Sequence, residues 1–93
     1  MNVLKCEYCG HEEAVESFDG VILLIKEKGT QKKVDVKVCC KEKCHDSLEK
    51  LALEHGFNTG FFELLNGLKF IYSPEDFSPK ALEKYENILS KFN

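Results

Sequence analysis

The cysteines constrain this chain more than any other feature. Five of its 93 residues are Cys, and four of them fall into two close pairs, Cys6-x2-Cys9 and Cys40-x3-Cys44. Thiolates spaced in this way can reach one metal ion together. In a reducing compartment a cysteine-rich pattern is more often metal-binding than disulfide-bonded. An odd count also suits four ligands and a spare better than a closed disulfide framework.

Each pair has the local sequence that a ligand pair needs. Gly10 follows Cys9 and lets the backbone turn with φ > 0 at no steric cost, so that N–H groups can point at sulfur. The second pair lies where a strand pattern gives way to a helix pattern. One sulfur then precedes the helix and the other sits in its first turn, where the positive end of the helix dipole favours thiolate. The expected metal ligands are therefore Cys6, Cys9, Cys40 and Cys44, and the expected cofactor is Zn²⁺. Four thiolates make a closed tetrahedral zinc site with no open position, which is the arrangement of a structural metal. An iron–sulfur cluster or copper would use the same donors, although the spacing suits a mononuclear site better.

Two alternatives to this ligand set stay open. Cys39 could replace Cys40, giving Cys-x4-Cys. On a strand, however, Val34, Val36, Val38 and Cys40 share one parity, whereas Cys39 goes with Asp35 and Lys37. His45 adjoins Cys44 and could ligate; its ordinary reading is a first-turn helix residue facing solvent. His11 and His55 read as surface or core-edge residues.

Around the cysteines the pattern is that of a small α+β protein. Residues 21–26 are aliphatic and follow Asp19-Gly20, which predicts a strand. Lys28-Gly29-Thr30 is a turn signal. Lys33-Val34-Asp35-Val36-Lys37-Val38 alternates with the period of a half-buried strand, close enough to the first to form a hairpin. From about residue 42 to 55 the period becomes helical, with Cys44, Leu48, Leu51, Ala52 and His55 on one face and Gly56 as a natural C-cap. Asn58 or Thr59 is expected to cap a short helix containing Phe61, Phe62, Leu64 and Leu65, ending near Asn66-Gly67. Residues 69–72 read as a strand or extended segment, and residues 73–77 as a loop. Ser78 as N-cap and Pro79 at the first helical position open a last helix with a stripe of Leu82, Tyr85, Leu89 and Phe92.

A knuckle, a hairpin and two further Cys at the start of a helix form the order of a treble-clef zinc finger. The stretch Val38-Cys39-Cys40-Lys41-Glu42-Lys43-Cys44 also resembles the Cys-x3-Cys half of the MYM, FCS and TRASH type fingers. The resemblance covers roughly residues 3–56 and implies that the second pair opens a helix whose apolar face covers the metal. Two features depart from that group. The separation of Cys9 from Cys40 is longer than it leads one to expect, and Cys39 stands where those fingers often have an aromatic. The expected organisation is a zinc-binding unit over residues 1–56 and a helical extension over residues 57–93 packed on it, forming one compact unit.

Composition narrows the function. The longest apolar run is Val21-Ile22-Leu23-Leu24-Ile25, too short to span a bilayer, and no secretory pattern opens the chain, so a cytoplasmic location without membrane association is expected. The formal charge is −3, and all the basic residues are Lys. Seven of these cluster in residues 26–45 (Lys26, Lys28, Lys32, Lys33, Lys37, Lys41 and Lys43), which allows nucleic-acid binding through the hairpin. The acidic total and the lack of Arg speak against it. The TRASH resemblance also implies a metal-sensing or metal-handling role, which needs an exchangeable ion. No phosphate loop, His-Glu-x-x-His or Ser-His-Asp arrangement is present, and Cys6-x2-Cys9 lacks the βαβ context of a redox pair, so no enzyme is expected. The leading expectation is a zinc-stabilised module that binds a protein partner in an interaction or regulatory role. The aromatics of the C-terminal part would serve it either as core or as an exposed stripe.

Overall fold

The computed structural model describes residues 2–64 and 74–92. Over these residues the chain is α+β. Two short strands, β1 (Val3–Lys5) and β2 (Glu12–Ala14), pair antiparallel, with Val3 opposite Ala14 and Lys5 opposite Glu12. The first cysteine pair lies in the loop that joins them. A second, three-stranded sheet has the order β4-β3-β5, where β3 is Gly20–Lys26, β4 is Lys33–Cys40 and β5 is Asn58–Glu63. Helix α1 (Lys43–Glu54) follows β4 directly. A 3₁₀ turn (Pro74–Asp76) leads into helix α2 (Pro79–Ser90).

The expected hairpin forms, with Gly20 opposite Cys40 and Ile25 opposite Asp35. β3 is the central strand and is buried along almost its whole length, consistent with its unbroken aliphatic sequence. The expected short helix from Asn58 is a strand instead. β5 runs antiparallel to β3, Lys26 opposite Asn58 and Val21 opposite Glu63. Pairing with the hydrogen-bonding edge of β3 outweighs the capping preference of Asn58, and Gly60 within the segment disfavours helix. The remainder of that expected helix from Leu65, the segment 69–72, and Ser73 of the expected loop lie outside the described residues.

Helix α1 lies over the face of the sheet that carries Thr59 and Phe61. Thr59 Oγ1 donates to Glu49 Oε2 at 3.0 Å, and the His45 and Phe61 rings are 4.3 Å apart. Its buried residues are Cys44, Leu48 and Ala52, whereas Leu51 is 45 % exposed, against expectation; His55 is exposed, as its surface reading expects. The helix is rolled about its axis so that His45, not Leu51, turns toward the sheet. Gly56 has φ 87 and ends the helix in the left-handed conformation that its sequence suggests.

Helix α2 packs against β4. Ser78 caps it as expected, its Oγ accepting from the Ala81 N–H at 3.2 Å, with Pro79 opening the first turn. Its innermost residues are Ala81, Tyr85 and Ile88; Leu82, Leu89 and Phe92 of the expected stripe flank them half-buried. One apolar core runs through both layers and includes Phe18, Ile22, Leu23, Val36, Val38, Tyr85 and three cysteines, Cys6, Cys39 and Cys44.

Gly20 sets how closely the strand start approaches its surroundings. A Cβ there would collide with the Cys39 carbonyl oxygen and the Phe18 ring. Neither neighbour can move freely, since one is strand backbone and the other a fully buried ring. Gly20→Ala is therefore expected to destabilise the protein by about 3 kcal/mol, at the upper end of overpacking costs, read as a lowered urea midpoint with an unchanged slope. Wild-type stability in this variant would show that the two strands do not meet as described.

Candidate metal centre

The four expected ligands come together. The Sγ atoms of Cys6, Cys9, Cys40 and Cys44 all lie within 4.8 Å of one another, and those of Cys9 and Cys40 are 3.9 Å apart. Sulfurs placed about 2.3 Å from a zinc ion at the corners of a tetrahedron are about 3.8 Å from each other. The donor set and its spacing fit a mononuclear tetrahedral ion.

Three local features build the site. The first is the β1–β2 loop, in which the Cys6 N–H donates to His11 O at 2.8 Å and the Gly10 N–H to Cys6 O at 3.0 Å. Gly10 takes φ 82 there, the turn that the Cys6-x2-Cys9-Gly10 sequence anticipates. The second is the end of β4, which delivers Cys40. The third is the first turn of α1, which delivers Cys44. Between the last two, Glu42 adopts φ 64 and ψ −109, a conformation that costs a non-glycine residue of order 1–3 kcal/mol. The strain falls at the sharp bend that brings the sulfurs of Cys40 and Cys44 to one point.

Electrostatics distinguish the sulfurs. Cys6 is buried, which by itself would push its thiol up. The N–H groups of Cys9, Cys40 and Tyr8 donate to its Sγ at 3.4 Å each and outweigh that effect, so its pKa falls to about 6. Cys40 and Cys44 go the other way, to about 12 and about 11, first through desolvation and then through the sulfurs of Cys6 and Cys9 beside them. One thiolate in this space suppresses the next until a cation compensates.

Cys40, and not Cys39, lies among the clustered sulfurs. Cys39 is fully buried and stands outside the sulfur cluster, its thiol pushed up to about 12 by desolvation and by Cys6 and Cys44. His45 is also outside the cluster. Its side chain is only 12 % exposed, against the expected solvent-facing position. Its ring packs against that of Phe61 at a tilt of 56°, and it sits 3.6 Å from Glu49 Oε2. His11 and His55 are at the surface, bonded to Glu13 Oε1 and Leu51 O respectively.

Sequence reasoning missed Glu7, which lies between the two knuckle ligands. Its N–H donates to Val38 O at 2.8 Å, and its Oε2 accepts from the Val38 N–H at 2.8 Å. Its other carboxylate oxygen accepts from Lys84 Nζ of α2 at 2.7 Å. Glu7 thus pins the knuckle to β4 two residues before Cys40 and ties both to the last helix. A carboxylate between two knuckle cysteines was visible in the sequence; a partner 77 residues away was not. Among the lysines of the basic stretch, Lys33 is buried beside Asp76 and the Phe77 ring, Lys37 pairs with Asp35, and Lys41 bridges Asp19 and Glu63.

No helix among the described residues is long and apolar enough to cross a membrane. Compared with protein-family models, with curated proteins and with solved structures, the chain matches none. The resemblance to MYM, FCS and TRASH type fingers rests on the cysteine spacing and the order of the elements.

The thiol pKa values give metal binding a definite pH dependence. At pH 7 Cys40 and Cys44 are protonated, so binding must displace at least their two protons. Protons then compete with the metal. Apparent zinc affinity should fall by about a hundredfold or more for each unit of acidification between pH 8 and pH 7. Competition titrations corrected for chelator protonation check this, and an affinity flat over that interval would contradict the assignment.

Proposed function

We propose that this chain is a non-enzymatic interaction module whose fold is held together by one Zn²⁺ on Cys6, Cys9, Cys40 and Cys44, in a treble-clef-like arrangement. The observation that carries the reading is the convergence of the four sulfurs from three separate elements. Zinc is favoured over other soft ions because a set of four thiolates at mononuclear spacing, within a reduced chain of this size, is among its usual structural coordinations. The ion supplies folding free energy. A structural zinc site contributes on the order of 10–16 kcal/mol, several times what a core in a chain this short supplies by itself. A donor set of four leaves no position for substrate or water, and that supports a structural role over a catalytic one.

A protein partner is the preferred ligand. Leu51, Leu53, Phe57 and Phe61 are large apolar side chains at least 37 % exposed, from the last turns of α1 through the start of β5. Exposed side chains of this kind, gathered in one stretch, are the ordinary material of a binding surface. The nucleic-acid reading has less support, because Lys33, Lys37 and Lys41 are engaged by acids of the chain itself.

Elemental analysis and native mass spectrometry of protein purified without chelator are expected to give one zinc per chain. Cys44→Ser should lose the metal and unfold the part around it; a well-dispersed NMR spectrum from zinc-free protein would contradict a structural role. Cys39→Ser should keep the full metal content. Because it places a hydroxyl in a site with no exposure, it should cost about 1–3 kcal/mol in chemical denaturation. Loss of zinc in Cys39→Ser would mean that the wrong sulfur has been assigned.

A further inference from the structure

The four clustered cysteines differ in residue exposure. Cys6 and Cys44 are buried, at 1 % and 9 % exposure, whereas Cys9 is exposed and Cys40 partly so. The two more exposed residues come from different elements, the knuckle and the end of β4, and their sulfurs lie 3.9 Å apart. A small recess of about 200 Å³ opens beside Cys40, bordered by His11, Ser17 and Asp19, whereas Cys9 is exposed on the surface loop and meets an oxidant directly from solvent. Cys6, by contrast, has its sulfur enclosed by three N–H donors.

We propose that Cys9 and Cys40 form an oxidative modification site, a pair that a hydroperoxide converts into a disulfide with release of the metal; this rests on the zinc reading above. The chemistry balances with the hydroperoxide as the only oxidant. The Cys9 thiolate attacks one peroxide oxygen, the S–O bond forms, the O–O bond breaks, and the leaving oxygen takes a proton as water or alcohol. Cys40 sulfur then attacks the Cys9 sulfenic acid; the S–S bond forms, the S–O bond breaks, and hydroxide leaves and is protonated to water. Two electrons pass from the two sulfurs to the peroxide. Both thiolates are lost as ligands, and two remaining sulfurs cannot hold a structural zinc ion. Closing the 3.9 Å gap to a disulfide bond of about 2.05 Å moves the two sulfurs together by about 2 Å.

Zinc-loaded protein treated with one equivalent of hydrogen peroxide tests this. Released zinc is followed with a chromophoric indicator, free thiols are blocked at early times with N-ethylmaleimide, and the disulfide is located by peptide fragmentation that resolves Cys39 from Cys40. The expected result is one Cys9–Cys40 disulfide per zinc released, with Cys6, Cys39 and Cys44 recovered as blocked thiols and zinc rebinding after reduction. Cys39→Ser should give the same products at the same rate. A Cys6–Cys9 or Cys39–Cys40 bond, zinc release without a disulfide, or zinc retained under excess peroxide would each overturn the proposal while leaving the zinc reading intact. Protein that carries no zinc before oxidation would overturn both.

Discussion

Four sulfur atoms within 4.8 Å of one another cannot all carry charge unaided. Two unit charges about 4 Å apart repel by about 4 kcal/mol at the effective dielectric of a protein near its surface, and four thiolates make six such pairs. The shifted thiols register this. Cys6 ionises readily, and Cys40 and Cys44 are then held protonated beside it. A divalent cation at the centre turns each of these repulsions into part of a net attraction. The close approach of the knuckle, the end of β4 and the start of α1 is costly without a metal and favourable with one.

The convergence reaches into the rest of the molecule through backbone and side-chain hydrogen bonds. Val38 exchanges hydrogen bonds with Glu7 on one side and pairs with Ile22 of the central strand on the other. The knuckle therefore acts as an extension of the sheet beyond β4. Lys84 bonds Glu7 and lies 3.6 Å from Asp35, while Asn2 Nδ2 donates to Lys91 O at the end of α2. The N-terminal segment is in this way clasped between the sheet and the last helix. An ion that orders the knuckle also orders the surface on which α2 rests. This gives a physical reason for residues so distant in sequence to share one core.

What the sequence made legible follows from how local the signals are. The knuckle, the β3–β4 hairpin, α1 and the capped start of α2 each rest on a pattern complete within a few residues, and each is present. β5 was not legible because its strand character lies in its partner. Asn58-Thr59-Gly60-Phe61-Phe62-Glu63 has no alternation, and Asn58 and Thr59 are as apt at a helix start as in a strand. β1 and β2 are three residues each and gain their pairing from the turn between them. The roll of both helices was hidden for a similar reason. Periodicity identifies an apolar stripe, but which edge of the stripe faces inward depends on the surface beneath it. For α1 that surface includes the Phe61 ring, which draws in His45 and leaves Leu51 at the surface.

Cys39 and Cys40 show how strand geometry separates two neighbouring thiols. Adjacent residues on β4 point to opposite faces. Cys39, opposite Val21, is enclosed by the core, where no cation reaches it and burial holds its proton on. Cys40, opposite Gly20, turns to the side where the knuckle sits and donates its N–H to Cys6 sulfur. Gly20 lets β3 begin close against the Cys39 carbonyl oxygen and the Phe18 ring, where a Cβ would collide. The register that seats Cys39 in the core is thus the one that carries Cys40 to the edge, partly exposed and within the cluster formed with Cys6, Cys9 and Cys44.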